Sequence, residues 1–115
     1  SKEEKTDLFL ESHIYILPSY AEGLPATLIE AMSFQLPVIT TPVGSIPEII
    51  NKENGILVKP GDSKGLADAI VNLSENPVLR KKMGSSNRFK AINNYNYLKM
   101  FKNIASVYQK QILKK

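Results

Sequence analysis

The sequence holds 115 residues, 43% hydrophobic and 23% charged, with a formal charge of +4. Zero cysteines exclude disulfides and thiolate metal sites, and one histidine, His13, leaves too few ligands for a histidine-based metal centre or a Ser/His/Asp triad. The length reads as one domain, and no apolar run approaches the roughly 20 residues of a membrane helix.

In chain order, residues 2–12 read as a helix end with Leu8, Phe9 and Ser12 on one side, and His13 as a capping or surface residue at its boundary. Ile14 to Leu17 is a continuous apolar run, the pattern of a strand covered on both faces in a parallel sheet. Pro18 lacks an amide donor and ends it. A polar loop with Glu22 and Gly23 follows, and Pro25 opens a helix to about Phe34, since a first-turn proline sacrifices no hydrogen bond. Leu28, Ile29, Met32 and Gln35 share roughly one third of the helical wheel. Glu30 points away from that face with Ala26, Thr27 and Ser33.

Val38 to Thr40 is the next strand. After it Gly44 permits a positive φ or a close ligand approach, and Pro47 starts a short helical turn through Ile50. Asn54-Gly55 reads as a tight turn into the strand Ile56 to Val58. Pro60-Gly61-Asp62 turns the chain again. Asp62 or Ser63 caps a helix with Leu66, Ala69, Ile70 and Leu73 on one face. Asn76-Pro77 begins another helix, whose apolar residues are Leu79, Met83 and Ile92. A last helix from near Asn96 carries Leu98, Phe101, Ala105, Tyr108 and Ile112 as one stripe. Strands separated by helices predict an α/β fold: a Rossmann-like parallel layer of about three strands with flanking helices.

Charge is uneven. Residues 77–115 hold ten Lys or Arg and no acid. A pair of solvated amphipathic helices accounts for this, and a footprint for an anionic membrane or nucleic acid is the sharper alternative. No aromatic-rich recognition motif accompanies the charge, so no nucleic-acid partner is expected, while peripheral membrane contact stays open.

The chemistry concentrates between Pro18 and Glu30. Glu22 and Glu30 suggest an acid/base pair, but one precedes the helix and the other lies about 1.5 turns into it, so both flank its positive end. Unpaired amides there suit a phosphate or diphosphate, and a nearby carboxylate suits a sugar diol. The residues alone therefore indicate a nucleotide or sugar-phosphate site, a weak signal by itself.

The run Pro18-Ser19-Tyr20-Ala21-Glu22-Gly23-Leu24-Pro25-Ala26-Thr27-Leu28-Ile29-Glu30-Ala31-Met32, followed by Pro37-Val38-Ile39, Gly44 to Glu48, Asn54 to Val58, Pro60-Gly61-Asp62 and Asn76 to Gly84, resembles the C-terminal domain of family 4 glycosyltransferases of the GT-B fold. The likeness runs from about Asp7 to Tyr108 and includes two glutamates separated by seven residues. It implies transfer of a sugar from a UDP-, GDP- or ADP-sugar to a saccharide or lipid-linked acceptor, with retention at the anomeric carbon and without a metal or other cofactor. It implies that Glu22 is the catalytic-site carboxylate contacting the donor sugar. Ser19, Gly23, Leu24, Pro25 and Gly44 complete the donor-binding set, with the Gly23 and Leu24 amides by the diphosphate and Glu30 on the ribose hydroxyls.

Two positions depart from that pattern: Gln35 stands where the family usually has glycine, and Ser45 where a second glycine often follows Gly44. The family's cationic clamp for the diphosphate and its N-terminal acceptor domain have no counterpart in these residues. Residues 1–115 therefore read as a partial C-terminal donor-binding domain, inactive alone, cytoplasmic or at the inner membrane face, with an open strand edge at Ile14–Leu17 available for self-association. Surface polysaccharide or glycolipid synthesis is the associated role. The alternative is a non-catalytic nucleotide-sugar-binding or interaction module.

Overall fold

A computed structural model describes residues 12–18 and 26–94. Its elements are strand β1 (Tyr15–Leu17), helix α1 (Ala26–Ser33), strand β2 (Val38–Thr40), a 3₁₀ turn (Ile46–Glu48), strand β3 (Gly55–Leu57), helix α2 (Ser63–Ser74) and helix α3 (Pro77–Asn94). The sheet order is β1-β2-β3 and both pairings are parallel, with Ile16 opposite Ile39 and Ile39 opposite Ile56. This is the α/β, Rossmann-like layer that the alternating strand and helix signals predict. The expected helices over residues 2–12 and from Asn96 lie outside the described residues.

Alternation along the strands builds two cores. Tyr15, Leu17 and Val38 face Leu28, Ile29 and Met32 of α1 together with Ile46, Ile49 and Ile50. Ile39 and Ile56 face the other way, onto Ala69 and Leu73 of α2 and Met83 of α3. β2, the middle strand, is buried throughout. β1 is not covered on both faces as its apolar run suggests: Ile16 keeps 38% of its surface exposed. His13 is exposed, as expected of a boundary residue.

β3 begins one residue before its predicted start. The amide of Asn51 donates to Asn54 Oδ1 at 2.8 Å, and Asn54 Nδ2 donates to the Ile49 carbonyl at 2.9 Å. Those bonds complete the turn at Asn54 and release Gly55 into the ladder. Gly55 must be small there, because a Cβ would lie 2.5 Å from the Val38 carbonyl oxygen. The Val58 amide still donates to Thr40 at 2.8 Å just past the strand end. The 3₁₀ turn likewise begins at Ile46, one residue ahead of Pro47.

α2 is capped as predicted, with Asp62 Oδ1 accepting from the Gly65 amide at 2.9 Å. α3 buries Met83, Asn87 and Ala91, three positions one helical turn apart, and leaves Ile92 43% exposed. The predicted apolar face is thus wrong at Ile92. The polar Asn87 holds the place an apolar residue would signal, and its Nδ2 donates to the carbonyls of Leu36 at 2.8 Å and Asn54 at 2.9 Å. One buried amide thereby ties α3 to both the α1–β2 and the 3₁₀–β3 connections.

Candidate functional site

Parallel strands place all their carboxyl ends on one edge, the edge at which ligands bind in open α/β sheets. Here the ends of the three strands line a cleft of about 250 Å³ bounded by Pro18, Thr40, Thr41, Val58, Lys59 and the turn through Ser63. β1 ends at this edge and α1 is the next described element, its N-terminal end on the side of the sheet where β1 ends. The Tyr15 hydroxyl donates to Thr27 Oγ1 at 2.9 Å, tying the first turn of α1 back to β1.

Glu30 lies one turn further along. Leu28, Ile29 and Met32 are fully buried, while Glu30 is half-buried and Ala26 exposed, so the carboxylate is off the core face as the wheel predicts. Ser33, predicted to share that open side, is buried instead. Its hydroxyl donates to the Glu30 carbonyl at 2.6 Å, and its own carbonyl accepts from Arg88 of α3 at 3.4 Å. Packing of α3 along α1 covers that part of the helix.

The second predicted site residue within the described region is Gly44. Its φ is 56°, the left-handed conformation anticipated for it. It follows a tight bend in which the Val43 amide donates to Thr41 at 2.9 Å, and the Ile46 amide then donates back to Val43 at 3.1 Å. Both turns sit just beyond β2, at the same sheet edge as the cleft. Ser45 has φ −88° and ψ 0°, an ordinary conformation for a residue with a side chain. A second glycine is not demanded there.

Gln35 has a different explanation from the one its wheel position offers. It has φ 62° and follows the end of α1, where its amide donates to Met32 at 3.1 Å and the Leu36 amide to Ala31 at 3.3 Å. That paired pattern is a Schellman motif, whose left-handed residue is most often glycine. A glycine at this position would serve as the helix stop that Gln35 forms here.

Of the predicted set, Glu30 on α1 and Gly44 in the turn after β2 lie within the described residues, and neither lines the cleft. Ser19, Glu22, Gly23, Leu24 and Pro25 lie outside the described residues. Thr40, Thr41 and Lys59 line the cleft and were not predicted. Their position at or just past the carboxyl end of a strand was the available signal, since that end of a parallel sheet is the ligand edge. Thr40 Oγ1 donates to the Leu17 carbonyl at 2.8 Å and so fixes the β1–β2 strand ends. Among the described residues no group of three His, Cys, Asp or Glu side chains could hold a metal, and no helix is long and apolar enough to cross a membrane.

Residues 1–90 match the family model for glycosyl transferases group 1. Over 97 residues the chain is 32% identical to the capsular polysaccharide biosynthesis glycosyltransferase CapM of Staphylococcus aureus, covering 84% of this chain and 26% of CapM. Over 105 residues it is 30% identical to the UDP-Gal:alpha-D-GlcNAc-diphosphoundecaprenol alpha-1,3-galactosyltransferase of Escherichia coli, covering 90% of this chain and 27% of that enzyme. The solved sucrose-phosphate synthase of Thermosynechococcus elongatus superposes with a TM-score of 0.75 at 27% identity, over 94% of this chain and 27% of that one. The chain therefore spans about a quarter of the length of these relatives.

Proposed function

This chain belongs to the glycosyl transferases group 1 family, and we propose that it is the donor-binding part of a retaining, family 4 glycosyltransferase that moves a sugar from a nucleotide diphosphate sugar to a saccharide or lipid-linked acceptor. What supports this is the element order, which puts the start of α1 after β1 and the left-handed turn at Gly44 after β2, both following the carboxyl ends of parallel strands, with Glu30 half-buried off the core face of α1. A helix start offers unpaired amides and about half a positive charge to a diphosphate. A carboxylate one turn inside the helix accepts well from a pair of ribose hydroxyls.

In this reading Glu30 holds the ribose and the Gly44 turn allows backbone to approach the donor. Ser19, Gly23, Leu24 and Pro25 border the diphosphate. Glu22 contacts the sugar: turned toward neutral hydroxyls, it avoids setting one anion against another. The name of the E. coli relative supplies both chemical classes, a UDP-sugar donor and a lipid-linked saccharide acceptor, and that of the S. aureus relative the role in polysaccharide biosynthesis. A cytoplasmic setting accords with the absence of cysteine.

The experiment is an NMR titration of the chain with UDP, GDP and ADP and with their sugars. Shifts concentrated at Glu30 and from Gly44 to Glu48 with one nucleotide are the expected outcome, and they identify the base. No response to any nucleotide or nucleotide sugar overturns the assignment.

A further inference from the structure

α3 has a second apolar stripe, on the side away from the core. At 100° per residue, Lys81, Ile92, Ser85, Val78, Phe89 and Lys82 fall in that order across about 100° of arc. The buried Met83, Asn87 and Ala91 lie on the opposite side. The stripe is open: Val78 is 78% exposed, Phe89 66% and Ile92 43%, and both lysines are exposed. Val78, Phe89 and Ile92, with Ser85 among them, are edged by a lysine on each side, and a face so composed can rest in a membrane interface.

We propose that this face of α3 docks on an anionic lipid surface. Charge chooses the partner. Residues 77–94 carry Arg80, Lys81, Lys82, Arg88 and Lys90 and no carboxylate, and the whole stretch 77–115 is free of acid. A second copy of the same helix would bring like charges together, whereas anionic headgroups attract the exposed Lys81 and Lys82 of this face; Arg80 and Arg88 are turned to backbone carbonyls of α2 and α1. Aromatic Phe89 and the aliphatic pair then enter the headgroup and acyl boundary, and the lysine stems extend alongside them with their ammonium groups in the phosphate layer. Docking in this way would bring the donor site to the leaflet that presents a lipid-linked acceptor, so in its purpose the inference rests on the proposed function. Its test involves neither donor nor acceptor, so the two readings fail separately.

The chain has no tryptophan, so Phe89→Trp provides a single reporter at the centre of the stripe. Added to vesicles of phosphatidylcholine with phosphatidylglycerol, this variant is expected to show a blue-shifted emission and to sediment with the lipid, and to do neither with phosphatidylcholine alone. In the same background Lys81→Glu with Lys82→Glu should lower the vesicle partition at least ~10-fold. Lys52→Glu with Lys64→Glu, the same charge change at exposed positions elsewhere, should lower it far less. Since all four lysines are exposed, unchanged melting curves are expected for both pairs. An unshifted emission, or equal losses from the two lysine pairs, overturns the proposal. So does binding of a single-stranded oligonucleotide more tightly than vesicles, which would make α3 a nucleic-acid surface.

Discussion

Gly84 lies where α3 presses onto the connection between α1 and β2, and a Cβ at that position would overlap the Gln35 carbonyl oxygen. The obstacle is backbone, held by the Schellman bonds at the end of α1, so it cannot rotate aside as a side chain would. Gly84→Ala is expected to destabilise the chain by about 2–3 kcal/mol despite the better helix propensity of alanine. A fall of about 10 °C in the melting temperature would register it. The opposite change is expected across the contact. Gln35 has φ 62°, and a left-handed conformation costs a residue with a Cβ about 1 kcal/mol relative to glycine. Gln35→Gly relieves that cost while adding backbone freedom to the unfolded chain, for a net gain of about 0.5 kcal/mol. A higher denaturant midpoint at unchanged slope is the measurement. Asn87 adds a third kind of constraint: its Nδ2 is fully used, and its buried Oδ1 has no partner among the described residues, an energetic penalty accepted in order to satisfy two buried backbone carbonyls.

Elements were easier to read from sequence than faces. The strand at Val38–Thr40, the cap at Asp62 and the start of α3 at Pro77 all rest on local signals, a buried apolar run or a cap and a proline at a helix start. Ile92 and Ser33 were misplaced because side-chain periodicity assumes that apolar residues face inward. In α3 the inward row is Met83, Asn87 and Ala91, one of them an amide whose role depends on carbonyls 33 and 51 residues away in sequence. No local pattern encodes those partners. Around the candidate site, the place of Glu30 off the core face of α1 and the positive φ of Gly44 were legible because a helix turn and a positive φ leave marks in residue type, while Thr41 and Lys59 of the cleft were legible only as strand ends. The junction of α2 and α3 shows a further nonlocal bond: Arg80 donates through Nη1 to the last carbonyls of α2, Leu73 at 2.6 Å and Ser74 at 2.8 Å. A cation at a helix C-terminus also opposes the dipole favourably. Arg80→Ala is expected to cost about 1–2 kcal/mol, and Arg80→Lys to recover part of it, read from chemical denaturation of the three proteins.

At the scale of the whole molecule, function and stability are coupled through the ligand edge. The chain spans about a quarter of its relatives' length, and the proposed donor site, taken apart from the rest of such an enzyme, would have no second substrate to hold in line. No sugar transfer is therefore expected from the 115 residues alone, and turnover of any nucleotide sugar by the purified chain would contradict this. Binding remains measurable through linkage, because a ligand that occupies only the folded state stabilises it by about 2.7 kcal/mol at one hundred times its dissociation constant. The melting temperature should thus rise with the nucleotide sugar identified by NMR and stay flat with the others. Glu30→Gln keeps the shape of the side chain and removes its charge. If the carboxylate holds the ribose, the variant loses charge-assisted hydrogen bonds, and affinity falls by about tenfold or more, equivalent to about 1.4 kcal/mol. The upward shift in melting temperature at a fixed donor concentration then shrinks, and higher donor concentration restores it. An undiminished shift in Glu30→Gln would place the ribose elsewhere along the edge, with Thr41 and Lys59 the next groups to replace.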